Sequence, residues 1–277
     1  MIEDAFEILN SEAVDDADVE LLEYPELKGS ADIRASQNLY YARQSGMRLK
    51  LVRLRLNNSH ARVEPGALYY MKGDLEMKAS SGGGLMKGLK RKMLSGETFF
   101  VNEIHGTGEI YLEPTFGHFL IHKITKDEGA LIVDKELFYA GTAGLDVTAV
   151  AQKNVSSALF GGEGLFQTKV EGDGILVLYS PVPAEEIQKI ELNNEKLSVD
   201  GNFALMRSGN IDFKAEKSSK SWVSTSVSGE GLLLQTFQGT GSVWVAPTQT
   251  VYEKLSTPGG LEALASVPGG SHTETSN

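Results

Sequence analysis

Cysteine is absent from the 277 residues of the sequence. This absence excludes disulfide bonds, zinc sites with cysteine ligands and a thiol nucleophile. A hydrophobic core must therefore hold the fold together, and the 41% of hydrophobic residues is an ordinary supply for a globular protein. A reducing compartment is compatible with such a chain.

Long apolar stretches are missing as well. No segment approaches the ~18 consecutive apolar residues that mark a membrane-spanning helix. Residues 1–6 show no basic region followed by an apolar run, which a signal peptide requires. We therefore predict a cytoplasmic protein without a spanning helix.

The formal charge of −11 is concentrated at the N-terminal end. Residues 1–32 hold eleven acidic residues and one basic residue, Lys28, so this segment carries −10 and the remainder has 25 basic and 26 acidic residues. Because the body is nearly neutral, nucleic-acid binding is not favoured. We expect residues 1–46 to form an acidic leader packed partly on the body and starting with a short amphipathic helix through Phe6 and Leu9. A docking segment for a basic partner is the alternative.

An alternating pattern, typical of a half-buried β-strand, occupies residues 47–56. Leu49 and Leu51 lie on one parity, whereas Val52 and Leu54 lie on the other. This slip predicts a β-bulge near Leu51. The four residues after the strand, Asn-Asn-Ser-His, predict a turn.

One motif occurs three times without gaps: a Gly-Glu pair is followed, after eight intervening residues, by Gly-x-Gly. The Gly-Glu pairs stand 66 and 67 residues apart. The motif residues are Gly96, Glu97, Gly106 and Gly108, then Gly162, Glu163, Gly172 and Gly174, then Gly229, Glu230, Gly239 and Gly241.

The strand-like segments before each motif recur too, which divides the chain into three units at 47–114, 117–181 and 184–248, followed by a flexible tail at 254–277. A unit of this size buries its hydrophobic face poorly by itself. We therefore predict an all-β fold in which the three units share one core.

The glycine motifs carry a resemblance to one protein family. They are Val-Glu-Pro-Gly at 63–66, Gly-Gly-Gly-Leu-Met-Lys-Gly-Leu-Lys-Arg at 82–91 and Phe-Gly-Gly-Glu-Gly-Leu at 160–165. Over residues 47–250 the chain resembles bacterial relatives of the mitochondrial "altered inheritance of mitochondria" protein, a domain of unknown function. The resemblance implies three β-rich units in a pseudo-threefold arrangement, akin to a double-stranded β-helix and similar to the tryptophan RNA-binding attenuation protein. It implies no established activity.

The Gly-x-Gly sequences look like part of a phosphate-binding loop, but the third glycine and the helix that such a loop needs are missing. Strand-like residues follow instead, so we predict tight hairpins with glycine at positive φ.

Glu97, Glu163 and Glu230 hold equivalent positions in the three units. Three carboxylates near one axis would suit a hard cation. We favour the simpler interpretation, in which each glutamate accepts hydrogen bonds from its own loop.

A basic loop at residues 82–92 distinguishes the first unit from the others. Its apolar and cationic side chains alternate, as in segments that rest on an anionic lipid surface or on an acidic protein segment. The alternative is that its apolar residues seal one end of the barrel. The acidic leader could also cover this loop. The contact residues are Leu85, Met86, Lys87, Leu89, Lys90, Arg91 and Lys92.

Residues with catalytic or metal-binding chemistry form no recognised pattern. The G-x-S-x-G nucleophile motif is missing, and His60, His105, His118 and His122 do not follow the His-x-His-Glu order of a cupin-type metal site. We expect no catalytic residues, no metal and no cofactor. The sequence therefore predicts a non-enzymatic scaffold or binding module rather than an enzyme.

Two other functions stay open from the sequence. One is RNA binding, which rests on fold analogy alone, and the other is a β-helix protein that binds a metal or a small molecule. Exposed strand edges at the unit boundaries favour homo-oligomers.

Overall fold

The computed structural model of the protein describes residues 6–79, 101–134, 136–152, 165–217 and 233–265. Most of these residues lie in β-strands, which confirms the prediction of a predominantly β protein. The strands are β1 (Glu7–Val14), β2 (Ala17–Glu23), β3 (Lys50–Val63), β4 (Leu68–Ala79), β5 (Asn102–Leu112), β6 (His118–Ile124), β7 (Leu131–Asp134), β8 (Phe138–Thr142), β9 (Leu145–Gln152), β10 (Leu165–Gly172), β11 (Gly174–Ser180), β12 (Gln188–Asp200), β13 (Ala204–Lys217) and β14 (Leu233–Val245). The helices are α1 (Ile33–Gln44), α2 (Gln249–Leu255) and α3 (Gly260–Ala265), with 3₁₀ turns at Lys126–Glu128 and Ala184–Glu186.

Two antiparallel sheets form the body. An eight-stranded sheet has the order β1-β2-β3-β8-β11-β6, and β5 and β4 branch from β3. A six-stranded sheet has the order β12-β14-β13-β7-β10-β9. Each predicted unit uses the same pairing, because β5 lies between β3 and β4 and β14 lies between β12 and β13. In the middle unit every long strand is divided in two, so that β11 lies between β6 and β8 and β10 lies between β7 and β9.

The hydrophobic core is divided into clusters, two of which join neighbouring units. The largest packs Val19 and Val52 of the N-terminal strands against Val177 of β11. A second joins Leu176 of the middle unit to Trp244 of the last. A third lies within β12, β13 and β14 alone. Apolar side chains shared between units therefore fill the junction of the first and middle units and the junction of the middle and last units.

Within the leader, residues 7–23 form a β-hairpin of β1 and β2, so the predicted short helix through Phe6 and Leu9 is wrong. β1 pairs with β2, and β2 pairs with β3 in one unbroken register from Glu23 opposite Lys50 to Ala17 opposite Leu56. Val19 lies in the core and is fully buried. Alternation in β2 and pairing with a long strand outweigh the helical spacing of a few apolar residues.

Strand β3 is continuous, so the bulge near Leu51 and the turn after the strand were both predicted wrongly. Leu51 stays in register opposite Leu22 and packs against Tyr111 on the sheet face opposite to Val52. Apolar residues of both parities occur because both faces are covered. The irregularity instead lies between Leu56 and the residue after Asn58, where the register against β5 shifts.

The Gly-x-Gly sequences are not hairpin turns, which corrects the prediction. Two of them lie inside the continuous strands β5 and β14, and the third lies at the junction of β10 and β11. Gly106 has a φ of 130°, and a Cβ atom there would lie 2.0 Å from the carbonyl oxygen of Asp74 in β4. At Gly239 the φ is 143° and the clash would be 2.1 Å from the carbonyl oxygen of Asn210. Glycine is required because the neighbouring backbone comes too close for any side chain.

Helices α2 and α3 follow β14, so residues 254–265 of the predicted tail include the end of α2 and all of α3. The Tyr252 hydroxyl donates to Oε1 of Glu186 at 2.8 Å, and Thr248 donates to the same carboxylate. These bonds attach α2 to the 3₁₀ turn before β12. Residues 266–277 lie outside the described residues.

Candidate binding site

The chain leaves the eight-stranded sheet between β2 and β3 and carries α1 before it returns. We call residues 25–48 the α1 excursion. Both of its ends are fixed, because Glu23 pairs with Lys50 and the Tyr24 N–H donates to the Leu49 carbonyl oxygen at 2.9 Å. The α1 excursion is therefore a segment held at its base by a regular ladder.

Local sequence explains where α1 begins and ends. Asp32 is the N-cap, and its Oδ1 accepts a hydrogen bond from the Ala35 N–H at 2.8 Å. Gly46 follows the helix with a φ of 77°, the left-handed conformation in which helices commonly stop. No residue of α1 is fully buried, so the helix lies on the surface of the protein.

An open cleft of about 510 Å³ lies between α1 and the loop before it. Its volume falls within the usual ~300–1,000 Å³ of small-molecule sites. Three cations, Lys28, Arg43 and Arg48, line the cleft, together with Tyr40 and the apolar Leu39. The cleft thus combines positive charge with an aromatic and an apolar wall.

Carboxylates beside the cleft balance part of this charge. Lys28 Nζ donates to Glu26 Oε2 at 2.5 Å, and Arg43 donates to the other oxygen of the same carboxylate. The hydrogen bond from Lys28, followed by the charge of Arg43, lowers the pKa of Glu26 below its ordinary value. Nε of Arg48 lies 3.6 Å from Oε1 of Glu23. Because the cations of these pairs are exposed, each pair stabilises the fold only slightly.

The outer face of α1 carries apolar and aromatic side chains. Ile33, Tyr40 and Tyr41 are 78%, 59% and 70% exposed, and the two tyrosine rings meet edge to face with centroids 5.5 Å apart. The α1 excursion also holds four basic and two acidic residues, a net charge of +2 within a chain of −11. It is therefore a basic, aromatic surface on an acidic protein.

A buried ion pair joins β2 and β3, the two strands that flank the α1 excursion. Arg53 Nε donates to Glu20 Oε2 at 2.5 Å, and both side chains are nearly inaccessible to solvent. Arg55 NH1 donates to the other oxygen of Glu20 at 2.8 Å, and Arg55 Nε donates to Glu109 Oε1 at 3.2 Å. The leader is thereby bonded across β3 to β5.

A second buried cation lies in the six-stranded sheet. Arg207 is 7% exposed and donates to Gln167 Oε1 at 2.8 Å and to Gln152 Oε1 at 3.1 Å. Its guanidinium lies over the Phe213 ring, 4.9 Å from the centroid. No carboxylate of the described ranges pairs with it, and burial lowers its pKa to about 10.

The predicted contact loop and the predicted carboxylates fall outside the described residues. This applies to Leu85–Lys92 and to the Gly-Glu pairs at 96–97, 162–163 and 229–230. The structure therefore neither joins nor separates the three glutamates.

The four described histidines lie in three separate places. His60 stacks on His105 with ring centroids 4.9 Å apart, while His118 lies beside Lys50 and His122 lies beside Glu128. Within the five described ranges, no three histidine, aspartate or glutamate side chains stand close enough together to hold a metal ion.

The α1 excursion itself was missed by the sequence reasoning. A signal for it exists, because Asp32 and Gly46 bracket a helix-sized segment in the way that N-caps and C-terminal glycines do. The acidic composition of residues 1–32 conceals this signal, because it favours interpreting the leader as one unit.

The fold and the cleft define a two-sheet β-protein in which a surface helix, α1, is inserted between β2 and β3. A family model described as "Mitochondrial biogenesis AIM24" matches residues 42–248, and the chain belongs to that family. The match begins near the end of α1, so the hairpin and most of α1 precede it.

Two of the similar proteins come from Streptococcus pyogenes. The chain is 28% identical over 175 residues to an uncharacterized protein of Streptococcus pyogenes serotype M6, which covers 62% of this chain and 67% of that protein. It is also similar to a Streptococcus pyogenes protein solved by X-ray crystallography, with a TM-score of 0.56, 23% identity, and coverage of 78% and 92% of the two chains. This likeness concerns the fold. Among the described helices, none has the length and apolar character needed to cross a bilayer.

Proposed function

We propose that the protein is a non-enzymatic binding module that contacts an anionic membrane surface through the α1 excursion. The observation that carries this proposal is the 510 Å³ cleft, in which Lys28, Arg43 and Arg48 stand beside the exposed aromatic face of α1. Cations next to aromatic and apolar side chains are typical of segments that lie in the interface of an anionic bilayer. The basic loop at 82–92 adds four cations to the same function, as the sequence alone indicates.

We also propose that the three units are structural repeats in a pseudo-threefold arrangement like that of the tryptophan RNA-binding attenuation protein. Its support is the equal pairing at the glycine motif: Leu75 lies opposite Gly106, Leu145 opposite Gly172, and Ile211 opposite Gly239. A protein partner, RNA and a small anion remain the competing ligands, and the cytoplasm remains the predicted location.

Vesicle binding tests the proposal. The full chain should sediment with vesicles of phosphatidylserine and phosphatidylcholine but not with phosphatidylcholine alone, and the binding should fall at high salt. Three cations at about 1 kcal/mol each predict up to about a 100-fold loss of binding in the variant K28Q/R43Q/R48Q.

A matched control removes the same charge elsewhere. The variant K126Q/K196Q/K214Q changes three exposed lysines outside the α1 excursion and should bind almost as the native chain does. An equal loss in both variants would show that net charge, and not this site, controls binding. Retention of RNA on a filter without any vesicle binding would replace the proposal by the RNA-binding alternative.

A further inference from the structure

Neighbouring units are joined by the same three-residue ladder at both junctions within the chain. At the first, β3 pairs with β8 and Val63 lies opposite Ala140. At the second, β7 pairs with β13 and Val133 lies opposite Met206. In each case the end of the first long strand of one unit pairs with the start of the second long strand of the next unit. These are β3 with β8 at the first junction and β7 with β13 at the second.

One strand of each kind lacks such a partner among the described strands. β12, the first strand of the last unit, pairs with β14 only, and β4, the second strand of the first unit, pairs with β5 only. The register identifies their equivalent residues. Val199 stands four residues beyond the partner of Gly239, as Val63 does beyond the partner of Gly106. Tyr70 stands five residues before the partner of Gly106, as Met206 does before the partner of Gly239.

The exposed fractions of these residues show that the β4 edge is uncovered. Ala140 is fully buried and Met206 is 3% exposed, because each is covered by the preceding unit, whereas Tyr70 is 38% exposed. Its neighbours on β4, Tyr69 and Met71, are 51% and 39% exposed. A long edge strand with apolar side chains is a template for pairing with another chain.

We propose that the β12 edge of one molecule pairs with the β4 edge of a second copy of this chain, with Val199 opposite Tyr70 and Ser198 opposite Met71. The contact repeats in trans the ladder that the chain makes twice in cis, and it requires that the third junction of the pseudo-threefold arrangement is open within one molecule. It joins two different surfaces and is therefore heterologous, so copies add head to tail and form a ring if the rotation closes. This assembly does not depend on the anionic-surface function, since it uses none of the residues of the cleft.

The absence of native cysteine allows a direct test. The single variants Met71→Cys and Ser198→Cys are purified separately, mixed and mildly oxidised. Residues directly opposite on antiparallel strands have Cα atoms about 4.5–5.5 Å apart, within the range of a disulfide. The expected result is a covalent dimer of one chain of each kind, well above the yield of a control mixture of Ser198→Cys with Lys126→Cys.

Two outcomes would overturn the proposal. One is a mixture that yields no more dimer than the control. The other is a doubly substituted chain that closes an internal disulfide as a monomer, which would place the third ladder within one molecule.

Sedimentation without cysteines gives an independent measurement. Met71→Lys puts a charge on the pairing edge and should weaken self-association by about tenfold or more. Met77→Lys, on the same strand but beyond the ladder and 47% exposed, should associate as the native chain does. Equal association of both variants, or a native chain that stays monomeric at high concentration, would contradict the inference.

Discussion

The Asn58 N–H donates a hydrogen bond to Oγ1 of Thr107 at 2.8 Å, and the Asn194 N–H donates to Oγ1 of Thr240 at 3.0 Å. Both asparagines adopt positive φ, 49° and 57°, and sit where the register of the first strand shifts. Both threonines are the middle residue of Gly-x-Gly. The motif therefore serves two strands at once, since its glycines admit the backbone of one neighbour and its hydroxyl holds the bulge of the other.

Removing that hydroxyl should loosen the bulge. We expect Thr107→Val to lower the free energy of unfolding by about 1 kcal/mol, because the variant keeps the shape of the side chain but leaves the Asn58 N–H without its acceptor. Thr107→Ser keeps an acceptor and should cost less. Urea denaturation measures both. A valine variant as stable as the serine variant would show that the hydrogen bond contributes nothing.

A methyl group at Gly106 should be far more damaging. Gly106→Ala places Cβ 2.0 Å from the Asp74 carbonyl oxygen, so β4 must move away from β5. We expect a loss of roughly 3 kcal/mol or more of unfolding free energy. Gly66→Ala is the control, because Gly66 has a φ of 89° but no atom within 4 Å of the added Cβ. It should cost about 1 kcal/mol from backbone strain alone, and a similar loss in both variants would contradict the close-approach explanation.

Gly106 and its neighbour in space, Asp74, show how much of the fold the local sequence can predict. The positions of the glycines and the strands around them follow from alternation and from the repeat. Whether Gly106 turns a hairpin or lets another strand pass is decided by Asp74, 32 residues earlier in the sequence, and both situations favour glycine at positive φ. The hairpin prediction failed at that point.

The candidate site was predictable only in part for a similar reason. Asp32 and Gly46 announce α1 locally. Glu20, by contrast, counts in composition as one more solvated acid of the leader, yet it is buried because Arg53 lies opposite on the next strand. A charge total does not show which carboxylates have partners.

The Glu20 and Arg53 pair gives a prediction of its own. Arg53→Met leaves the Glu20 carboxylate buried without that partner and should cost about 3–5 kcal/mol, whereas the double variant E20L/R53M should recover most of the loss. A double-mutant cycle by urea denaturation gives the coupling. Additive losses would mean that the two side chains stabilise the fold independently.

Replacing the buried Arg207 is expected to have the opposite effect on stability from replacing Arg53. Its pKa in the folded protein is about 10, below the ordinary 12.5, so the folded state binds this proton less tightly than the unfolded state does. The buried charge therefore destabilises the fold below about pH 10, and this cost is relieved as pH rises from about 10 towards 12.5.

Replacement by apolar residues tests this cost. The double variant R207M/Q167L removes the charge and one of the two acceptors and should be as stable as the native chain at neutral pH or more stable by about 1–4 kcal/mol. Its advantage over the native chain should shrink as pH rises above about 10. An advantage that stays constant with pH would show that proton loss by Arg207 is not involved.

Acid stability should depend on His122, which lies on β6 beside Glu128 and the Trp244 ring. Burial lowers the pKa of His122 below the ordinary 6.5, although Glu128 opposes this shift. The folded state thus favours the neutral ring, so the unfolded state takes up the proton first and stability falls as pH drops below about 6.5. His122→Leu should flatten this fall in urea denaturation curves. Glu128→Gln removes the opposing charge and should steepen it, and a fall unchanged by either variant would assign the acid sensitivity to other groups.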